Sequence, residues 1–272
     1  MDLVFDVGNT ETVIGWFQDS ELRGHWRVST DSRRTADEYG MILVQLLTAS
    51  GVGHNSVRAA TIGSVVPAMT VVLRGACERY LDVAAVAVDA RTPLPITLDV
   101  DEPMTVGADR IVNTLAALRM YATDTVVVDL GTATTFDCIT RDGVFIGGVI
   151  SPGVKTSSAS LTERTAKLPR VDLVPPQRVI GRRTETCIQS GVFYGAVDAI
   201  DGTVHRIREE WGSDELLVVA TGGLAELIGP HCRTVQKIEP YLTLYGLEFA
   251  REHLAGLALP PRPLLDRRPG RL

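Results

Sequence analysis

Two short segments of the chain share an arrangement of residues that could bind a phosphorylated ligand. Val4-Phe5-Asp6-Val7-Gly8 ends the first apolar run, and Val127-Val128-Asp129-Leu130-Gly131 repeats it with an offset of 129 − 6 = 123. In each segment the glycine lets backbone N–H groups approach an oxyanion, and a carboxylate ends the strand beside it. Because a carboxylate repels phosphate, this arrangement makes chemical sense mainly when a cation lies between the two.

The simplest alternative is that D-x-G marks an ordinary hairpin turn. One copy fits either interpretation, but two copies at equivalent positions favour a shared role. The offset aligns Asp6 with Asp129, Gly8 with Gly131, and Thr12 with Thr135. We therefore predict an internal duplication without a flexible linker between its halves.

A third segment, Gly107-Ala108-Asp109-Arg110, places an acid and an arginine at the start of a predicted helix. Asp109 could cap the N-terminus of that helix, and spacing alone favours this interpretation without excluding another. Alternatively, Asp109 could accept the proton of a substrate hydroxyl while Arg110 and nearby N–H groups hold a substrate anion. Spacing leaves both alternatives open.

A fourth segment, Thr221-Gly222-Gly223, connects an apolar strand to a helix. Glycines lack side chains, so a flat purine and its ribose could pack on the backbone there. Such turns are common, and this one is informative only because it follows the two D-x-G segments. The chain contains no G-x-x-x-x-G-K-[ST] sequence, which excludes a Walker-type phosphate loop.

The elements that must position these segments alternate between strand and helix. Three strands are predicted at 3–7, 12–17 and 22–29, and the T-x-x-E capping box Thr35–Glu38 begins an amphipathic helix. The pattern restarts in the second half, where a long helix is predicted over 184–211. We therefore predict an α/β fold of two duplicated domains, each a mixed sheet flanked by helices.

The composition excludes several classes of protein. The chain has 272 residues, of which 45% are hydrophobic, and this suggests two globular domains. A formal net charge of −6 argues against a nucleic-acid partner. No apolar run approaches the ~20 residues of a membrane helix, and Asp2 and Asp6 interrupt the only candidate signal segment. We therefore expect no membrane partner. The four cysteines lack C-x-x-C spacing, so we expect reduced thiols in a cytoplasmic protein.

Five motifs, in order and spacing, resemble those of type III pantothenate kinases, also called the Bvg accessory factor family. They are Asp6-Val7-Gly8-Asn9-Thr10, Gly107-Ala108-Asp109-Arg110, Asp129-Leu130-Gly131-Thr132-Ala133-Thr134, Gly147-Gly148-x-Ile150-x-Pro152-Gly153 and Gly181-Arg182-x-Thr184. The resemblance extends from residue 2 to about residue 250.

The resemblance implies a fold and a reaction. The fold would be two ribonuclease-H-like domains of the actin-like ATPase type, 1–121 and 122–255, with a nucleotide cleft between them and a mobile Pro/Arg-rich tail, 256–272. The reaction would be ATP-dependent phosphorylation of pantothenate to 4′-phosphopantothenate, the first step of coenzyme A biosynthesis. Magnesium and a monovalent cation, potassium or ammonium, would be cofactors. The family forms homodimers through the long helix of the second half.

Carried over position by position, the resemblance implies a role for each motif residue. The residues expected to bind ATP are Asp6, Val7, Gly8, Asn9, Thr10, Glu11, Thr12, Val13 and Thr132, joined by the superfamily's adenosine turn at Gly222 and Gly223. The residues expected to bind pantothenate are Gly107, Ala108, Asp109, Arg110 and Thr184, with Asp109 as the proton acceptor. Asp6 would lie near magnesium, and Asp129 would hold the monovalent cation. Val100 stands where many members have a tyrosine, so any contact made there is missing.

Three other functions compete with this one. Another kinase of the same architecture could act on a sugar or acetate, but it would not be expected to contain the G-A-D-R segment. A nucleotide-binding regulator without turnover would be marked by loss of Asp6, Asp109 or Asp129, and all three are present. An actin-like filament protein would leave the G-A-D-R segment unexplained.

Overall fold

The structure is a computed structural model that describes residues 1–213 and 215–256. The chain forms two compact units. Unit 1 comprises Met1–Thr123, Thr140–Phe145 and the described chain from Thr243 onward; unit 2 comprises Asp124–Ile139 and Ile146–Leu242. The predicted second domain runs to residue 255 and so differs from unit 2 in its last helix. The predicted tail lies outside the described residues, except for residue 256.

Eleven strands and seven α-helices make up the described chain. The strands are β1 (Asp2–Val7), β2 (Glu11–Gln18), β3 (Glu21–Ser29), β4 (Ala59–Ser64), β5 (Ala85–Val88), β6 (Thr97–Leu98), β7 (Thr125–Leu130), β8 (Ala133–Ile139), β9 (Val144–Pro152), β10 (Leu217–Thr221) and β11 (Lys237–Ile238). The helices are α1 (Ala36–Ala49), α2 (Pro67–Leu81), α3 (Ala108–Met120), α4 (Val154–Glu163), α5 (Thr184–Trp211), α6 (Ala225–Ile228) and α7 (Leu242–Leu254).

Unit 1 is built on a five-stranded mixed sheet with the order β3-β2-β1-β4-β5. β1, β2 and β3 are antiparallel, whereas β4 and β5 run parallel to β1. Leu3, Phe5 and Val7 of β1 are buried in the core that α1 and α2 cover. Because side chains alternate along a strand, Val4 and Asp6 point to the opposite face.

Unit 2 repeats this architecture with the order β9-β8-β7-β10-β11. β7 and β8 are antiparallel, and β10 and β11 run parallel to β7. Val126, Val128 and Leu130 pack in a core with Phe193 and Val197 of α5. The first two residues of β9 belong to unit 1, where they pair with β6. The predicted α/β fold with two mixed sheets flanked by helices is confirmed.

The alignment of Thr12 with Thr135 is wrong by one residue. Thr12 pairs with Val7 across the first hairpin, and the residue that pairs with Leu130 across the second is Thr134. Four residues separate the paired strand ends in the first hairpin and three in the second. A constant offset cannot cross a turn that differs in length, so Thr134 is the structural equivalent of Thr12.

Two helix predictions are confirmed and one helix was missed. The Thr35–Glu38 capping box forms at the start of α1, and α5 spans the predicted 184–211. α4 was not predicted, because its sequence is polar except for Val154, Ala159 and Leu161 and shows no helical period of apolar residues. Within the described residues, no helix is long and apolar enough to cross a membrane.

Candidate active site

The turn between β1 and β2, residues 6–13 and called hairpin 1 below, presents polar groups at the end of β1. The backbone N–H of Gly8 donates a 3.0 Å hydrogen bond to the carbonyl oxygen of Glu11 and closes this turn. Asn9 and Thr10 are exposed, whereas the side chains of Val7 and Thr12 are buried. The hydroxyl of Thr12 shares a 2.8 Å hydrogen bond with the hydroxyl of Thr30. Val7 and Thr12 can therefore offer a ligand only their backbone groups.

Asp6 and Asp109 come from separate motifs of unit 1, and the negative charge of Asp109 acts on Asp6. The pKa of Asp6 is raised to about 7, chiefly by burial and further by the negative charge of Asp109. The pKa of Asp109 is also raised by burial, although the backbone N–H and the positive charge of Arg110 act against the rise. Two nearby carboxyl groups whose ionisation is disfavoured by burial favour a bound cation that would balance their charge.

Asp109 is not the N-cap of α3, so the interpretation that spacing favoured is wrong. The N-cap is Gly107, whose backbone is extended (φ −63°, ψ 149°), and α3 begins at Ala108. A capping side chain must belong to the extended residue before the first turn, and Asp109 already lies within the helix. Its Oδ1 accepts a 2.9 Å hydrogen bond from the backbone N–H of Arg110.

Gly107 and Phe145 fix the side chains of the 107–110 segment. A Cβ atom at Gly107 would lie 2.4 Å from Oδ1 of Asp109, so only glycine permits this position of the carboxylate. The guanidinium of Arg110 lies over the ring of Phe145, 4.8 Å from its centroid. Phe145 is buried, and in the sequence it was indistinguishable from other apolar strand residues.

The turn between β7 and β8, residues 129–135 and called hairpin 2 below, has different surroundings. Asp129 is the register partner of Thr221 on β10. Gly222, which follows, has φ +87°, and a Cβ atom there would lie 2.3 Å from Oδ1 of Asp129. The carboxylate of Asp129 therefore rests on the backbone of the Thr221-Gly222-Gly223 turn, and two segments far apart in sequence form one site.

Thr221 is a site residue that sequence reasoning placed in a motif but did not select. Its hydroxyl is fully buried and has no hydrogen-bond partner among residues 1–213 and 215–256. Val128 and Ala220, the residues just before Asp129 and Thr221, face the apolar core of unit 2. Paired residues of neighbouring strands point to the same face, so the carboxylate of Asp129 and the hydroxyl of Thr221 lie on the opposite side together.

The donors present fit the two implied cations. The carboxylate of Asp129 and the hydroxyl of Thr221 are hard oxygen ligands of the kind that an alkali cation takes. Within the described part of the chain, the buried hydroxyl has no hydrogen-bond partner. No group of three metal-ligating side chains occurs in the part of the chain that the structure describes. Magnesium is usually held by one or two carboxylates together with substrate phosphates and water, so Asp6 suits an ion that arrives with a polyphosphate.

Two other predicted residues lie elsewhere on unit 2. Thr132 is exposed at the tip of hairpin 2, and its carbonyl oxygen accepts hydrogen bonds from the Gly153 N–H (3.1 Å) and the Thr156 hydroxyl (2.7 Å). Thr184 is exposed at the start of α5 and lines a groove of about 690 Å³. The groove wall is formed mainly by apolar and small residues, and no other predicted site residue lines it.

Known structures with a TM-score above 0.5 share the fold. A conserved protein assigned to the Baf family of transcriptional activators, from Campylobacter jejuni, has a TM-score of 0.59 at 17% identity, with 94% of this chain and 100% of that chain covered. A protein assigned as a 2-dehydro-3-deoxygalactonokinase, from Sinorhizobium meliloti, has a TM-score of 0.56 at 12% identity, with 93% and 99% covered. The activator of 2-hydroxyisocaproyl-CoA dehydratase from Clostridium difficile has a TM-score of 0.53 at 10% identity, with 95% and 98% covered.

The sequence comparison is more specific than these structural similarities. The family model of type III pantothenate kinase matches residues 2–206 of the 272-residue chain, which include hairpin 1, the 107–110 segment, hairpin 2 and Thr184. The resemblance seen in the five motifs is confirmed. The chain belongs to the type III pantothenate kinase family, a family of phosphotransferases.

Proposed function

We propose that the protein transfers the γ-phosphoryl group of ATP to the primary hydroxyl of pantothenate, giving 4′-phosphopantothenate. The observation that carries the proposal is the pair of carboxyl groups, Asp6 and Asp109, whose pKa values are both raised within unit 1. Phosphoryl transfer requires mainly positioning and charge neutralisation, and one carboxylate can serve the nucleophile while the other serves the metal.

Asp109 acts as the proton acceptor in this proposal. A carboxylate with a raised pKa is a stronger base than an ordinary one, and it can accept the proton of the attacking hydroxyl as the O–P bond forms. Arg110, held over Phe145, binds the carboxylate of pantothenate together with backbone groups of Gly107 and Ala108. Thr184 contributes a further hydroxyl to pantothenate binding.

Asp6 and the exposed turn of hairpin 1 bind the phosphates of ATP. Magnesium, when bound, neutralises the charge of the polyphosphate, and Asp6 is the residue that would hold it. The groups of this chain that contact the nucleotide are the backbone of residues 6–13, Thr132, and the Gly222-Gly223 turn. The Clostridium difficile activator of the same fold was solved with ADPNP bound, which supports a nucleotide as one ligand.

Asp129 and Thr221 would hold the monovalent cation. The cation, when bound, adds positive charge near the phosphates that hairpin 2 contacts. Thr221 offers its otherwise unsatisfied hydroxyl oxygen, and Gly222 leaves room for the carboxylate. Potassium and ammonium both suit such oxygen ligands, so we propose activation by either.

The protein is proposed to act as a cytoplasmic homodimer without a nucleic-acid or membrane partner. A net charge of −6 supports the first exclusion. The groove along α5 contains small residues at four-residue spacing, Gly191, Gly195 and Ala199, over which another helix could pack closely. A second copy of this chain, contributing its own α5, is the proposed occupant.

A product assay tests the proposed reaction. Purified protein is incubated with ATP, magnesium and potassium, and is offered pantothenate, a panel of sugars and short carboxylic acids in separate reactions. Mass spectrometry should show the gain of one phosphate on pantothenate alone. Phosphorylation of a sugar or acid instead would replace the substrate, and ATP binding without any product would favour a regulator that does not turn over.

A further inference from the structure

The last described helix, α7, returns the chain to unit 1 after unit 2 is complete. It follows the region that matches the family model, residues 2–206, and carries none of the five motifs. Its contacts converge on the two elements that carry the paired carboxylates, α3 with Asp109 and β1 with Asp6.

The contact between α7 and α3 is close and partly polar. The hydroxyl of Thr243 donates a 3.0 Å hydrogen bond to Oδ1 of Asn113, and both side chains are buried. Three residues further along α7, a Cβ atom at Gly246 would lie 2.1 Å from the carbonyl oxygen of Val112. The two helix backbones therefore touch, and the hydrogen bond fixes their register as an apolar contact alone would not.

Asn113 lies one helical turn after Asp109 on the same side of α3, because residues four apart share a helix face. A shift or rotation of α3 at Asn113 is transmitted through that single turn to Asp109. The contact with Thr243 is therefore placed where it controls the position of the carboxylate.

α7 also packs against β4, the strand that pairs with β1 at Asp6. Leu247 fills the space above Gly63, where a Cβ atom would meet its Cδ2 at 2.9 Å. Gly63 is the register partner of Asp6, so α7 covers the face of the sheet toward which Asp6 points. At its far end, Arg251 is 3.4 Å from the carboxylate of Asp2 at the start of the same strand.

We propose that α7 is a positioning helix for the Asp6–Asp109 pair, and that Thr243 is the positioning residue that sets α3 through Asn113. The effect on catalysis rests on the proposed function, whereas the effect on the order of α3 does not. Loss of the Thr243 hydroxyl loosens the first turn of α3, and Asp109 leaves the position from which it accepts the substrate proton.

The test compares Thr243→Val, which keeps the shape and removes the hydroxyl, with Thr243→Ser, which keeps the hydroxyl. Hydrogen exchange of peptides that span 107–113 reports the order of the first turn without any substrate. We expect faster exchange there in the valine variant and little change in the serine variant. We also expect kcat with pantothenate to fall about tenfold in the valine variant only, with the KM for ATP within about twofold of wild type.

A purely structural role gives a different result. Both variants would lose thermal stability in proportion to the atoms removed, and exchange at 107–113 and kcat per folded molecule would stay at wild-type values; that outcome overturns the proposal. If wild type phosphorylates none of the substrates offered, the proposed function fails, and the exchange data still decide whether Thr243 positions α3. Gly246→Ala should shift α3 further than Thr243→Val does. If the Gly246→Ala variant does not fold, the milder Thr243→Val variant still tests the proposal.

Discussion

Hairpin 1 and hairpin 2 share a sequence pattern and a place in equivalent sheets, but their carboxylates lie in opposite surroundings. Asp6 lies near a second carboxylate, Asp109, which helps raise its pKa to about 7. Asp129 lies against the glycine backbone at Gly222 and on the same face as the Thr221 hydroxyl. In unit 1 the neighbour of the hairpin carboxylate is on α3, and in unit 2 it is the turn that follows β10.

The different surroundings of the two carboxylates suit different cations. A pair of carboxyl groups that is costly to ionise suits a divalent cation and a proton acceptor. A single carboxylate with a neutral hydroxyl suits a monovalent cation, whose charge it balances. The two units therefore present similar hairpin turns whose carboxylates have different neighbours.

The largest expected effect comes from removing Asp109, the proposed proton acceptor in unit 1. Asp109→Asn keeps the size of the side chain and should lower kcat by roughly 10²–10⁴-fold, the usual value of general-base assistance, with ATP affinity little changed. Steady-state kinetics and ATP titration measure both. Asp101→Asn, at an exposed position in the same unit, is the matched control and should behave as wild type. An undiminished kcat in the Asp109 variant would remove that residue from the mechanism.

The next effect concerns the cost of ionising Asp6. The pKa of Asp6 is about 7 in the folded protein, against an ordinary value of 3.8. The protonated carboxyl group of Asp6 therefore contributes its full share to the free energy of unfolding below pH 3.8, and this share is lost as the pH rises through 7. Without ligands, wild type should lose on the order of 1–4 kcal/mol of unfolding free energy relative to Asp6→Asn between pH 4 and pH 8. Urea unfolding at several pH values measures the difference. A difference that is constant with pH would contradict the inferred pKa.

A smaller effect tests the second repeat. Thr221→Val removes the buried hydroxyl and should raise the potassium concentration for half-maximal activity by about tenfold, the equivalent of one charge-assisted contact. Thallium NMR of the protein without substrates gives a binding readout that is independent of turnover. Thr221→Ser should retain wild-type cation affinity, and equal affinities in all three proteins would exclude Thr221 as a ligand.

Local pattern and turn chemistry made much of the fold predictable from the sequence. The capping box at Thr35 and the ends of α5 were located by residue type alone. α4 escaped prediction because it has no apolar stripe. The equivalence of Thr12 and Thr134 required strand register, since one turn is shorter by a residue.

Most residues of the candidate site could be predicted from the sequence, but the contacts of their side chains could not. The repeated D-x-G pattern selected Asp6 and Asp129, and the family resemblance selected Asp109. The effect of Asp109 on the pKa of Asp6, however, depends on how β1 and α3 pack, which no local pattern encodes. Thr221 and Phe145 gain their importance from burial and from a partner across the fold. The return of α7 to unit 1 is a long-range contact of the same kind.

The most direct test of the division between the two repeats is the ratio of the phosphorylation rate in potassium to the rate in sodium, measured for wild type, Asp6→Asn and Asp129→Asn. Wild type and Asp6→Asn should keep a high ratio, although the second is slow, and the ratio for Asp129→Asn should fall to about one. A ratio that survives in Asp129→Asn and disappears in Asp6→Asn would contradict the assignment of the monovalent cation to hairpin 2.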